Sequence, residues 1–320
     1  MARVAFLFHE DFHLHVQAPR HPERPERTKA LIEHLQKTDL WSSLIHISPD
    51  VAPRETLELV HSPAYIDLIA EVCARGGGLV DGIETGVAGV TGVGPESFRI
   101  ASRAVGAVTR AIDAVLGDEV DRAFCAVRPP GHHAMRDQAM GFCLFNNVAI
   151  GARYALTHHN LGRVAIIDWD FHHGNGTQAI FWSDPAVLYF SVHRYPGWPW
   201  SGRREETGSG PGKRFTVNAP LAAGSGPDEY FQAFDEVLAP AIDGFGPDLV
   251  LISAGFDAHR DDPLSRMWLS ADDYGELTRR VMDLAEEHCR GKIVSVLEGG
   301  YNPHALAECV ERHLRVMMED

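Results

Sequence analysis

Short apolar runs rich in β-branched residues recur along this chain, each closed by a polar cluster and each followed by a helix-length segment. They occupy residues 4–8, 123–127, 164–167, 187–192, 248–253 and 292–297. Runs of this length, apolar without alternation, suit strands buried on both faces better than helices. The segments between them carry helix-start signals. Pro25 stands at the first turn of ERTKALIEHLQK, Ser62-Pro63 opens AYIDLIAEVCAR, and Pro95 opens ESFRIASRAVGAVTRAIDAVL. A further helix is expected over residues 145–157, and Ser270 with Asp273 forms a capping box for ADDYGELTRRVMDLAEEHC. Strands alternating with helices specify a mostly parallel sheet between helical layers. Ligands bind such open sheets just beyond the carboxyl ends of the strands. No repeat, linker or composition break divides the chain, so residues 1–320 are read as one domain.

Four of the expected strands end in reactive groups. His132 and His133 follow the second run, Asp168, Asp170, His172 and His173 the third, Asp257 the fifth and Tyr301 the last. A lone DxD is more often a solvated strand end, and a lone HH pair more often a turn. The functional reading comes from four such sets lying on one sheet edge. Along an extended segment Asp168, Asp170 and His172 can share one side, while Gly174 and Gly176 permit close backbone approach. Asn175 or Thr177 then stands near the start of the next helix.

Asp170, His172 and Asp257 offer two oxygens and one nitrogen and leave a position open, the pattern of a catalytic zinc site. The same ligand types also suit iron(II), cobalt or manganese. Hydrolysis of an amide further requires a base for water and an acid for the leaving amine, which His132 and His133 can supply. Asp168 and Asn175 are the natural partners of that pair, the carboxylate raising the basicity of one ring and the neutral amide orienting the other. Tyr301, beside two glycines, can donate a hydrogen bond to a developing oxyanion.

The net charge of −15 argues against nucleic acid as a partner and is compatible with a cationic substrate, although ordinary solubility explains it more simply. No apolar run is long enough to span a membrane, and the first residues break into charge too early for a signal peptide, so cytoplasmic residence is expected. Five widely spaced cysteines without a CxxC pair argue against a disulfide scaffold or a cysteine-built zinc site. Residues 75–95, with eight glycines, read as a long surface loop. The aromatics of the loop after residue 192 can line a groove or pack against the domain. Assembly into oligomers is left open.

The segments RPPGHHA, GFCLFNN, DWDFHHGNGTQ, SAGFDAH and EGGY, in this order and spacing, resemble the zinc-dependent histone deacetylase family, which includes acetylpolyamine amidohydrolases. HPERPER, HSPAYIDL and SGRREETGSGPGKRFTVNAPL extend the resemblance over nearly the whole chain, with wording closer to class II members. The resemblance implies an arginase/deacetylase-like three-layer α/β fold with a central, mostly parallel eight-stranded sheet. It implies zinc on Asp170, His172 and Asp257, acid/base work by His132 and His133, and an oxyanion donor at Tyr301. It implies an acyl-lysine tunnel walled by Phe142 and either Trp198 or Trp200, with Gly141, Glu84, Leu264 and Gly299 along it. A structural potassium ion is implied at Asp168, Asp170, His172, Ser191 and Val192. The substrate so implied is an acylated lysine peptide or a small acylated amine.

Two positions depart from the family pattern. Leu264 stands in DDPL where a polyamine-selective member can carry an acidic gatekeeper, and Glu84 stands where Asp or Ser is more usual. Two other functions compete. Ureohydrolase chemistry needs two metals and more carboxylates, and His259 occupies a position where a further Asp would help. A non-catalytic acyl-binding module would need neither the histidine pair nor Tyr301.

Overall fold

The computed structural model describes residues 1–17, 20–81 and 91–320. Its strands are β1 (Val4–Leu7), β2 (Ile45–Ile47), β3 (Gly78–Leu79), β4 (Gly92–Val93), β5 (Arg122–Cys125), β6 (Val164–Asp168), β7 (Val187–Arg194), β8 (Thr216–Leu221), β9 (Leu249–Ala254) and β10 (Ile293–Leu297). Eight of them form one sheet in the order β2-β1-β5-β10-β9-β6-β7-β8, and every neighbouring pair is parallel.

The six strands expected from sequence occupy the interior of that order. The two the sequence does not mark are its edges. An edge strand is covered on one side only, so it lacks the apolar run that announces a buried strand. Two of the three β2 residues are exposed, and β8 carries Pro220, which an interior strand would not tolerate. The glycine-rich stretch read as loop holds a short antiparallel pair, β3 with β4.

Successive residues of each strand face opposite helical layers. Phe6, Phe124, Ile167 and Phe190 pack with Leu31, Leu277 and Leu314 from helices Glu26–Leu35, Ala271–Cys289 and Pro303–Met317. Leu7, Cys125, Ile166 and Tyr189 pack with Val108 and Ile150 from helices Ser97–Leu116 and Asn147–His158. The result is the expected three-layer arrangement. The expected caps form as well: Ser62 Oγ accepts from Tyr65 N at 3.3 Å, and Asp273 Oδ2 accepts from Ser270 N at 2.8 Å. All five cysteines are buried and unbridged. Among the described residues, no helix is long and apolar enough to cross a membrane.

Candidate active site

Strand register brings the reactive groups together. Asp168 at the end of β6 lies level with Ser191 on β7 and Ser253 on β9, so the turns that leave β6 and β9 meet beyond the sheet edge. Asp170 and His172 come from the first turn and Asp257 from the second. Their ligand atoms all lie within 4.8 Å of one another. His172 Nδ1 is 3.1 Å from Asp170 Oδ1 and 3.3 Å from Asp257 Oδ2.

Backbone donors fix both carboxylates. Gly299 N donates to Asp170 Oδ2 at 2.9 Å and Phe171 N to Asp257 Oδ1 at 3.0 Å. Asp257 Oδ2 is buried and has no hydrogen-bond partner. Glycines make room for this cluster. A Cβ at Gly255 would stand 2.2 Å from Asp170 Oδ2, and one at Gly299 would stand 2.2 Å from Asp257 Oδ2. An orphaned buried oxygen beside a second carboxylate and an imidazole is a donor set that fits a divalent cation. Burial would lower the His172 ring, but the flanking carboxylates of Asp170 and Asp257 outweigh it and push it up to about 9. Burial, reinforced by Asp170, pushes Asp257 up to about 7.

The two imidazoles of His132 and His133 are nearly in contact, with centroids 3.9 Å apart. Each is oriented through Nδ1, His132 to Asp168 Oδ2 at 3.0 Å and His133 to Asn175 Oδ1 at 2.8 Å. The helix Asn175–Phe181 starts after Gly174, which has no side chain to cap it, and Asn175 turns its own side chain to His133. Asp168 Oδ2 also accepts from the Tyr189 hydroxyl at 3.0 Å, and its Oδ1 accepts from Asp170 N at 3.2 Å. Burial opposes charge on His132, yet Asp168, Asp170 and Glu298 prevail and push it up to about 10. Burial and the neighbouring His132 and His172 hold His133 well below its usual value. One ring favours its proton and the other resists it.

Tyr301 follows β10 and is 7% exposed, its ring 6.0 Å from that of Phe142 in a T-shaped contact. Burial pushes its phenol well above the ordinary value. Phe142 and Trp198 flank Gly141, where a Cβ would strike the His133 ring at 2.4 Å and Trp198 at 2.5 Å. Trp198 meets the rings of His133 and His172 at 4.6 and 5.6 Å. Trp200, the other wall residue considered from sequence, is 64% exposed and takes no part in this arrangement. Glu84 lies outside the described residues. Leu264 is 38% exposed on the loop after Asp257. Ser191 and Val192 are buried on β7 beside Asp168.

His173 and His259 stay out of the cluster. The first bonds Ser201 Oγ at 2.7 Å and Gln178 Oε1 at 3.0 Å, and the second accepts from Asp261 N at 3.1 Å. Other residues close to the site carry no sequence signal of their own role. Glu298 Oε2 accepts from Gly131 N at 2.6 Å and His132 N at 3.2 Å. Arg27 donates to the carbonyls of Gly300 at 2.6 Å and Glu298 at 2.5 Å. Its place in HPERPER was the available hint, without a partner to point to.

A parallel α/β sheet with a carboxylate–imidazole cluster beside a histidine pair defines a hydrolase site of the arginase/deacetylase type. Residues 21–317 match the model of the histone deacetylase domain. A probable deacetylase from Archaeoglobus fulgidus is 40% identical over 301 residues, covering 93% of this chain and 81% of the relative. A histone deacetylase-like amidohydrolase from Pseudomonas aeruginosa is 40% identical over 294 residues, covering 91% and 75%. The polyamine deacetylase HDAC10 of Homo sapiens is also 40% identical, over 93% of this chain but only 45% of that protein. The crystal structure of the HDA15 HD domain superposes with a TM-score of 0.92 at 34% identity, covering 99% of this chain and 90% of that one. The chain belongs to the histone deacetylase domain family and is a hydrolase of the deacetylase class.

Proposed function

We propose that residues 1–320 form one catalytic domain that removes acetyl groups from acylated lysine side chains or small acylated amines, using a zinc ion held by Asp170, His172 and Asp257. The observation that carries this reading is Asp257 Oδ2, buried without a hydrogen bond between a carboxylate and an imidazole and beside two oriented histidines. Bound there, zinc supplies Lewis-acid polarisation of the amide carbonyl and acidifies water.

The remaining work belongs to the chain. His133 donates its Nδ1 proton to Asn175, which leaves the Nε2 lone pair free to take a proton from attacking water. The same nitrogen can return that proton to the departing amine. His132, bound to Asp168, keeps a positive edge against the charge that develops on the substrate. The Tyr301 phenol donates to the carbonyl oxygen as it becomes an oxyanion. Phe142, Gly141 and Trp198 enclose an acyl-bearing methylene chain and exclude water from it, with Gly299 leaving room at the base and Leu264 near the entrance. A structural potassium ion at Asp168, Asp170, His172, Ser191 and Val192 belongs to the same reading, as does cytoplasmic residence. The separate position of His259 supports one catalytic metal over the two of a ureohydrolase.

The test is metal analysis of the purified protein together with hydrolysis of an acetyl-lysine peptide, acetylputrescine, acetylcadaverine and acetylspermidine. One zinc per chain with turnover of at least one substrate is expected. Two manganese ions per chain, or no hydrolysis of any acylated amine by metal-loaded protein, would overturn the reading.

A further inference from the structure

The turn that carries Tyr301 cannot hold itself in place. Gly299 and Gly300 precede the tyrosine, and Gly300 adopts φ +121°, a conformation open to glycine and strained for other residues. Such a turn has more backbone freedom than any other dipeptide, yet an oxyanion donor is useful only when its position is fixed before the reaction. The fixing comes from outside. On one side Arg27 takes the carbonyls of Glu298 and Gly300, and its guanidinium stands 5.0 Å from the centre of the Tyr301 ring.

On the other side stands Asp262, 6% exposed, on the loop that follows Asp257. Its Oδ2 accepts from Tyr301 N at 2.6 Å and from Asn302 N at 3.3 Å. Its Oδ1 accepts from Leu264 N at 2.9 Å, and its own N–H donates to His259 O at 2.9 Å. One buried carboxylate thus receives three backbone N–H groups from two segments of the chain. A backbone-bound carboxylate of this kind costs desolvation that a plain surface turn would avoid. The place where it acts is the peptide bond leading into Tyr301.

We propose that Asp262 is a positioning residue for the reaction, holding the Tyr301 backbone so that the phenol meets the substrate carbonyl. This rests on the role assigned to Tyr301 above. Asp262 touches neither substrate nor metal. Its effect passes through the Tyr301 hydroxyl and disappears when that hydroxyl is absent. Misplacement of a reacting group by about 1 Å can cost on the order of 100-fold in rate. Loss of one of the two clamps therefore predicts a fall in kcat of roughly 10- to 100-fold, with KM changed less than about threefold.

The experiment is a double-mutant cycle of Asp262→Ala and Tyr301→Phe on zinc-loaded, full-length protein, with metal content and melting temperature measured on all four forms. If Asp262→Ala folds poorly, Asp262→Ser, too short to reach Tyr301 N, takes its place. The expected result is a 10-fold or larger loss of kcat for the Asp262 variant alone and less than about twofold further loss in the Tyr301→Phe background. Equal losses in both backgrounds, or no loss in the parent, would overturn the proposal. Near-parental turnover by Tyr301→Phe alone would bring down the earlier reading of Tyr301, and that result is seen without any Asp262 variant.

Discussion

Replacing Tyr301 with phenylalanine deletes one oxygen from a side chain that is 7% exposed. The contacts that seat the ring do not use that oxygen: the Phe142 ring meets it in a T-shaped contact with centroids 6.0 Å apart, and the Arg27 guanidinium lies 5.0 Å from its centre. Tyr301 N remains bound to Asp262. Folding and metal content should therefore stay at parental levels. Burial holds the phenol well above its ordinary value, so it carries its proton throughout the neutral range and acts there as a donor. Loss of one preorganised donor to an oxyanion costs about 2.7–4 kcal/mol, or roughly 10²–10³ in kcat. The ground-state carbonyl is a weaker acceptor than the oxyanion, so KM should change little. Steady-state kinetics on an acetyl-lysine peptide, with zinc content and melting temperature measured on the same preparation, separate these effects. A kcat within threefold of the parent would refute the role, and a fall that tracks loss of zinc would reassign the effect to the metal site.

Asp257→Ala should lose zinc, and Gly255→Ala should do the same without removing any ligand, because its Cβ would stand 2.2 Å from Asp170 Oδ2; full occupancy in either, measured by elemental analysis, would contradict the assigned cluster. Acid should unfold the protein well above pH 3. Burial lowers His15 and His61 to about 4 and His313 to about 3, from 6.5. Between those values and 6.5 the unfolded chain binds more protons, so stability falls as pH drops through that window, by about 3 kcal/mol or more for each histidine. Circular dichroism that stays native at pH 3.5 would show that these rings are not buried neutral.

The placement of the candidate site was legible in the sequence where buried strands announced themselves. Runs such as residues 164–167 are unmistakably interior, and the residues that follow them must sit on the sheet's ligand-binding edge. What sequence alone could not separate is the two tryptophans of one loop. His172 enters the cluster while His173 turns away to Ser201, as the alternation of an extended segment expects, whereas Trp198 lines the site and Trp200, two positions on with φ +67°, faces solvent. The edge strands β2 and β8 were silent for want of an apolar run. The supports of the site were silent for another reason. Arg27 reaches Gly300 across 273 positions of sequence, and Glu298 reaches His132 across 166, so nothing local marks either residue.

These long-range supports also bear on the proposed cation. Asp168, Asp170, Asp257 and Glu298 are all fully buried around it. The buried guanidinium groups of Arg27 and Arg128 are already engaged by Glu23. Among the described residues, imidazoles are left as the cations that face these carboxylates beside neutral backbone and Tyr189 donors, and burying carboxylate charge with too little compensation is costly. A divalent ion on Asp170, His172 and Asp257 relieves that deficit, so metal binding should stabilise the fold as well as activate it. Zinc at about 100 times its dissociation constant would add about 2.7 kcal/mol. Melting curves of the parent with zinc and after chelation should therefore separate by several degrees, whereas those of Asp257→Ala should coincide. A parent protein whose melting temperature ignores chelation, with zinc confirmed as removed, would show that the carboxylates are satisfied without a metal and that this account of the cluster is wrong.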